Sequence, residues 1–345
     1  MPTLVDSSQF TVSVEGVPVV VPCVEVVVFL GTTVDEAILD FYDRARTALG
    51  DALTHYQAES MKTFGAVNAR ANAMVPTWFT KPRAGKIDYH MLLAGADLNA
   101  QVSATTLELS VFRKPPGTPD QRAAERAEWR ASHEKGSHLP IIGASKFRLT
   151  VPPEHPLAAP EAVRTWMLDL EMLRSTDEFS GYCGCALNYY VQPGEADLYL
   201  PAKMALSSFC LRYPGLGWDG GIQGKILRYD PAIDDLLPLV KRANWLTLLS
   251  SRTVEFLGGR DRLAADLGSD QAVSFDDLPL GVAIQAGPEP QTGDLGQRDF
   301  LPLYRRVARA VRRARVDEID GDGKGFMRTA TNQWLNAFDV EYGAV

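Results

Sequence analysis

Apolar positions along this chain change period several times, and each change marks an element. Residues 10–30, FTVSVEGVPVVVPCVEVVVFL, are dense in valine and β-prone, with a turn at Glu15-Gly16. Pro18, Pro22 and Glu25 interrupt the apolar run at 17–30, which falls short of the roughly 20 residues a membrane-spanning helix needs. It reads as one or two buried strands. The period then lengthens: Ile38, Phe41, Ala45, Ala48 and Leu49 recur at helical spacing up to about Gly50. Thr33 and Glu36 stand three apart, the spacing of a capping box. TTLELSVFRK (105–114) predicts a strand, and the charged stretch at 115–138 an exposed excursion with a helical piece.

The second half continues in the same style. SKFRLTVP (145–152) predicts a strand. APEAVRTWMLDLEMLRS then predicts a helix with Val163, Trp166, Met167, Leu170 and Leu173 on one stripe. GYCGCALNYY (181–190) has the residues of a buried strand, and Pro201 is expected to open the helix PAKMALSSFCLRYPG. Then come NWLTLLS, a short helix around GGRDRLAADLG, the strand LGVAIQAG (280–287) and a helix through LPLYRRVARAVRRAR. Strands and helices mix without regular alternation. That predicts an α+β fold, with mixed or antiparallel sheets and packed helices, over a doubly wound parallel sheet. A single domain over 1–345 is expected. Two strand-then-helix openings leave open two related halves, intimately packed subdomains of about 1–150 and 151–345, although no fixed period supports them.

Composition adds constraints. At 345 residues, 46% hydrophobic and 23% charged, the chain has ample material for a core. With 43 acidic against 35 basic residues the net charge is −8, which disfavours nucleic acid and anionic membranes and favours a basic partner, if it is more than a solubility device. The start, MPTLVDSSQF, lacks the basic and apolar regions of a secretory signal, and four scattered cysteines do not make a disulfide scaffold. A soluble cytoplasmic protein is expected.

Several motifs invite chemistry and fail on context. GLGWDG (215–220) spells G-x-G-x-x-G, but Pro214 precedes the first glycine where a strand should end, and no long helix follows. A turn with Trp218 as a buried anchor is the expected reading. GGIQGKI has Asp219 where a P-loop needs glycine, and Ile226 where it needs Ser or Thr. HEKGSH (133–138) spaces its histidines five apart, where a helical zinc site needs four. Cys183 and Cys185 would share one face of a strand as small core residues. DEIDGDGKGF (317–326) lacks the glutamate that closes a calcium loop. Six arginines between 305 and 315 surround an apolar stripe of Leu303, Val307, Val311 and Ala314, so a salt-bridged surface helix is expected. No cofactor and no metal site is expected, and no catalytic residue stands out.

Taken together, NYYVQPGEADLYLPAKMALSSFCLRYPGLGWD (188–219), NWLTLLSSRTVEFLGG (244–259), GVAIQAGPEPQTGD (281–294), LPLYRRVARAVRRAR (301–315) and NQWLNAFD (332–339) resemble the type VI secretion immunity family, the TsiV-like proteins. Order and spacing carry the resemblance, over about residues 150–340. It implies a non-enzymatic protein that binds and neutralises a cognate type VI toxin encoded beside it, and a nuclease-type effector as that partner. The chain departs from the family pattern at GLGWD, where an acidic residue before the tryptophan is expected, and in the charged insertion near 115–138. Both bear on which effector is recognised.

A basic toxin would be met by acidic residues, for which Asp234, Asp235, Asp276, Asp277, Glu289, Asp294 and the run Asp317 to Asp322 are candidates. Trp218, Tyr229 and Trp129 are candidate aromatic anchors, against the alternative of burial in the chain's own core. Two competing readings stay open: a hydrolase using carboxylates such as Asp169 and Glu171, and a nucleic-acid binder using the 305–315 helix.

Overall fold

Glu15 (φ 51°) and Gly16 (φ 83°) both take the left-handed conformation, the two-residue hairpin turn that suits the natural twist of strands. The turn follows a short α1 (Ser7–Phe10) and joins β1 (Val12–Val14) to β2 (Val17–Leu30). The valine-rich run is therefore one strand of 14 residues. A computed structural model of the chain describes residues 7–58, 61–81, 88–112, 119–135, 144–189, 196–218, 226–268, 272–316 and 326–340.

After β2 come α2 (Asp35–Leu49), β3 (His55–Ala58), β4 (Gly65–Ala66), α3 (Ala69–Thr80), β5 (Asp88–Ala94), β6 (Thr106–Phe112), α4 (Pro119–Glu134) and β7 (Ser145–Val151). The second half runs α5 (Pro160–Leu168), α6 (Met172–Ser175), β8 (Phe179–Tyr189), α7 (Ala196–Arg212), β9 (Leu227–Asp230), β10 (Asp235–Pro238), β11 (Leu246–Ser250), α8 (Ser251–Phe256), α9 (Arg260–Leu267), β12 (Val273–Leu278), β13 (Gly281–Ala286), α10 (Pro302–Ala310) and α11 (Phe326–Leu335). Among the described residues eleven strands form one sheet in the order β12-β13-β11-β8-β2-β7-β6-β5-β3-β4, with β1 hairpinned onto β2; β9 and β10 pair separately. Every ladder is antiparallel. The fold is α+β, as the irregular alternation of elements implied.

β2 is the axis. β8 pairs it from Val20 to Leu30 and β7 pairs it from Val24 to Leu30. Its two prolines lie before the stretch that β7 reaches, so their missing amides cost the β7 ladder nothing. Alternate β2 residues enter different cores. Val24, Val26, Val28 and Leu30 join the larger cluster with α2, α5, α9 and α10, while Val27 and Phe29 join a second with α1, α7 and α11. A strand's side chains alternate between faces, so helices cover this sheet on both sides. Among the described residues no helix is long and apolar enough to cross a membrane.

Local expectations fail in four instructive places. α2 starts after Val34, which offers no side-chain cap, because Gly31 and Thr32 are held by Glu178 (Gly31 amide to its carbonyl, 2.7 Å; Thr32 hydroxyl to its carboxylate, 2.5 Å). The Thr33–Glu36 capping box is therefore not used. The helix expected at 159–175 breaks between Leu168 and Met172, where the Asp40 carboxylate accepts the Glu171 amide (2.9 Å). α7 begins at Ala196 and carries Pro201 inside it, so the proline does not open the helix as its missing amide suggested. α10 stops at Ala310, and a 3-10 turn at Arg312–Ala314 carries the chain inward, so Arg315 is buried against Asp339 rather than on an outer face.

We propose that the chain folds as one unit, because β2 is covalently in the first half and is hydrogen-bonded to β8 of the second along 11 register positions. Fragments 1–150 and 151–345 expressed apart are then expected to be insoluble, and the whole chain to lose tryptophan fluorescence and far-UV ellipticity in one coincident urea transition. Two separated transitions would instead reveal independent subdomains.

Candidate partner-binding surface

β9 and β10 pair as a hairpin separate from the main sheet, packed into the second core through Leu227 and Leu237, and it closes through residues 231–234. The Asp230 carboxylate accepts the Ala232 amide (2.9 Å), which starts the turn. Asp234 ends it in the left-handed conformation (φ 52°), which asparagine and aspartate tolerate better than most residues. Two bonds hold it there: the Tyr229 hydroxyl donates to one carboxylate oxygen and the Arg130 guanidinium of α4 to the other, each at 2.6 Å. These bonds, Arg130 first, keep the Asp234 carboxyl below the usual carboxylate range. Trp129 lies beside the Tyr229 ring (centroids 6.4 Å apart), so the charged excursion of the sequence docks on this hairpin. Next to it, Arg252 of α8 meets Asp177 at 2.9 Å, Asp235 at 3.1 Å and Glu178 at 3.2 Å.

Three of the other acidic candidates, Asp276, Asp277 and Asp294, are paired as well. Asp276 and Asp277 lie on β12, the terminal strand of the sheet, where Arg164 (2.9 Å) and Arg260 (2.6 and 3.0 Å) hold them. Charges there also blunt a free sheet edge against unwanted strand addition. Asp294 takes Arg212 of α7 through both oxygens (3.0 and 2.9 Å) and caps the turn after it. Hydrogen bonds from Arg260 and Arg212 lower the Asp277 and Asp294 carboxyls. Glu289 is exposed in the loop after β13. The fold thus brings Tyr229, Asp234 and Asp235 together at one hairpin and puts Asp276 and Asp277 on an edge strand. It sets Glu289 and Asp294 in the loops after β13. The run Asp317 to Asp322 lies outside the described residues.

Trp218 is 2% exposed and packs beside Trp334 (centroids 6.0 Å apart). Tyr229 is buried apart from its bond to Asp234. The glycines before Trp218 serve close packing. A Cβ at Gly215 would run into the Gln291 carbonyl, and one at Gly217 would stand 2.7 Å from a Glu25 carboxylate oxygen. The Gly217 amide bonds the Cys185 carbonyl (2.7 Å), and the segment leaves helix α7 rather than a strand. Asp169 and Glu171 sit at the α5–α6 break, with Asp169 3.8 Å from Arg174. His138 lies outside the described residues.

One feature escaped the sequence reading. Polar residues alternate with core residues on three neighbouring strands: Lys146, Arg148 and Thr150 on β7, Thr106 and Glu108 on β6, His90 on β5. Of these Lys146, Arg148, Thr106 and Glu108, with Asn188 of β8, line a groove of about 240 Å³ walled by Leu98 and Val102. Arg148 bonds Glu25 of β2 (2.5 Å) and Asn188 of β8 (2.6 Å). Asn188 in turn bonds Thr150 (2.9 Å), which meets Thr106 (2.8 Å), and Lys146 meets Glu108 (2.7 Å). The signal was present as period-two polarity in SKFRLTV and TLELSVF, but adjacency of the strands is a long-range fact.

Comparison with known proteins gives one family and one fold. Residues 119–338 match the family described as TsiV, type VI immunity for VRR-NUC. No curated protein sequence matches the chain. Among solved structures, a type VI secretion system protein of Pseudomonas aeruginosa, PA0821, superposes with a TM-score of 0.70 at 20% identity. The match covers 96% of this chain and 88% of that one. At that identity the likeness is one of fold.

Two measurements test this geometry. All four cysteines are buried, and burial pushes their thiols up, Cys185 and Cys210 to about 12. The native chain should therefore leave Ellman's reagent uncoloured at pH 8 and release all four thiols in concentrated urea; prompt native reaction would mean an open core. The lowered Asp234, Asp277 and Asp294 favour their charged forms in the folded state. What they contribute is complete above the free carboxylate value of about 3.9 and fades as pH falls through each lowered value. Asp277→Asn should melt slightly below wild type at pH 7 and converge with it as the pH falls through the lowered value, and a gap that persists in acid would contradict the pairing.

Proposed function

Because this chain belongs to the TsiV family of type VI immunity proteins, we propose that it neutralises one cognate type VI toxin, a basic nuclease-type effector, by forming a stoichiometric complex with it. The observation that carries this reading is the family match over residues 119–338. Its description pairs the family with VRR-NUC, which supports a nuclease as the partner. The net charge of −8 supports a basic one. A nuclease holds phosphate with lysine and arginine, and an acidic inhibitor gains association rate and selectivity from the complementary field. The acidic candidates Asp234, Asp235, Asp276, Asp277, Glu289 and Asp294 act here as partner contacts, and the five aspartates are reached through arginine pairs that can exchange partners at modest cost. An exposed pair of this kind is worth about 0–1 kcal/mol. The protein works by occupancy, without turnover, in the cytoplasm where a nuclease meets its substrate.

Co-expression with the neighbouring toxin gene tests the proposal. The expected result is a one-to-one complex on affinity purification and restored growth of the host. A folded, lethal toxin that neither co-purifies with the chain nor is silenced by it would overturn the reading.

A further inference from the structure

We infer that the groove between α7 and α11 holds an uncharged, extended segment of the toxin, an inference that rests on the immunity reading above. The groove measures about 640 Å³, within the range of sites that enclose a ligand. It is lined by Leu211 of α7, by Leu295 and Val340, and by the carboxamides of Asn332 and Gln333 on α11 and Asn336 just beyond it. Exposed apolar surface collects here. Among the described residues four large hydrophobic side chains are exposed, and Leu200 and Met204 of α7 and Val340 are three of them. Leu200, Met204, Ser208 and Leu211 recur at helical spacing, so the outer face of α7 leads from the exposed pair into the groove. Apolar surface gathered beside a concave site marks a place of contact with another molecule.

The chemistry of the lining selects the occupant. Among the described residues no charged side chain lines the groove, and the charges beside it are already balanced. Arg212 holds Asp294 through both carboxylate oxygens, Arg315 holds Asp339, and Arg305 donates to the Val340 carbonyl (2.5 Å). Arg298 and Asp299, exposed after Leu295, carry one charge of each sign. A charged segment would lose its hydration here without gaining a counter-ion, so an uncharged one is favoured. A carboxamide carries both a donor and an acceptor, the complement of a peptide group. Gln333 is exposed and its carboxamide meets no other group among the described residues. A helical partner spends its peptide groups within itself, whereas an extended segment still has them to offer. The walls are fixed before binding, which lowers the entropy lost on association. Trp334 of α11 donates to the Leu216 carbonyl (2.9 Å), and Asp294 caps the turn that carries Leu295. Asp294 is also one of the proposed partner contacts, so the groove continues that surface.

The test uses the full chain and the toxin purified from the co-expressed complex. Gln333→Glu and Gln333→Lys would be titrated against wild type by calorimetry, with Gln101→Glu and Gln101→Lys in the β5–β6 loop as controls for net charge. Both glutamines are exposed, so all four variants are expected to melt with wild type. Both Gln333 variants are expected to bind the toxin at least ~10-fold more weakly, because a charge of either sign is desolvated against a neutral segment. The Gln101 pair is expected to bind as wild type. Tighter binding by Gln333→Glu with weaker binding by Gln333→Lys would overturn the uncharged occupant, and unchanged binding by both would overturn the groove; either result leaves the immunity reading intact. A wild-type chain that fails to bind would overturn that reading, and the groove with it.

Discussion

Everything in this fold is arranged around a valine-rich strand that needs partners on both edges and cover on both faces. A strand of 14 residues leaves rows of amides and carbonyls that cost free energy unless paired, and its side chains demand apolar neighbours above and below. The chain meets these demands from distant places. β7 arrives along one edge and β8 along the other; α2, α5 and α10 contribute to one core, α1, α7 and α11 to the other. Loss of either edge strand would expose both a ladder and a core.

The polar network on the second face works under the same constraint. Glu25 is 1% exposed, and a charge so buried is tolerable only when paired and hydrogen-bonded; removing one partner of such a pair costs roughly 3–5 kcal/mol. Arg148 supplies the pair, and Asn188, Thr150 and Thr106 carry the bonding across four neighbouring strands. Because each polar atom wants a particular partner, the network also penalises a slip in register that the valines alone would permit. Gly217 belongs to this account, since any side chain there would press on Glu25.

At the surface, Arg130, Arg164, Arg212, Arg252 and Arg260 are held by the chain's own carboxylates. Those pairs join segments far apart in sequence, α4 to the β9–β10 hairpin and α5 to β12. This has a functional consequence for an immunity protein. A surface of exchangeable pairs presents charge without committing it to one arrangement. The charged helix α4 is the segment that buttresses the hairpin, through Trp129 and Arg130.

Local physics decided what sequence alone could tell. The Glu15-Gly16 turn, the valine strand, the apolar stripes of α2 and α5 and the rejection of GLGWDG as a phosphate loop were all readable, because each depends on residues within a few positions of one another. So was the family, from ordered blocks. Where helices begin and end was less legible: Glu178 and Asp40, both distant in sequence, decide it for α2 and for the α5–α6 break. Tertiary structure alone decided which polar residues of β6, β7 and β8 share a groove, and which arginine each paired aspartate takes. Those outcomes depend on which strands become neighbours, and strand adjacency is settled by burial of the whole sheet, a quantity no short window of sequence contains.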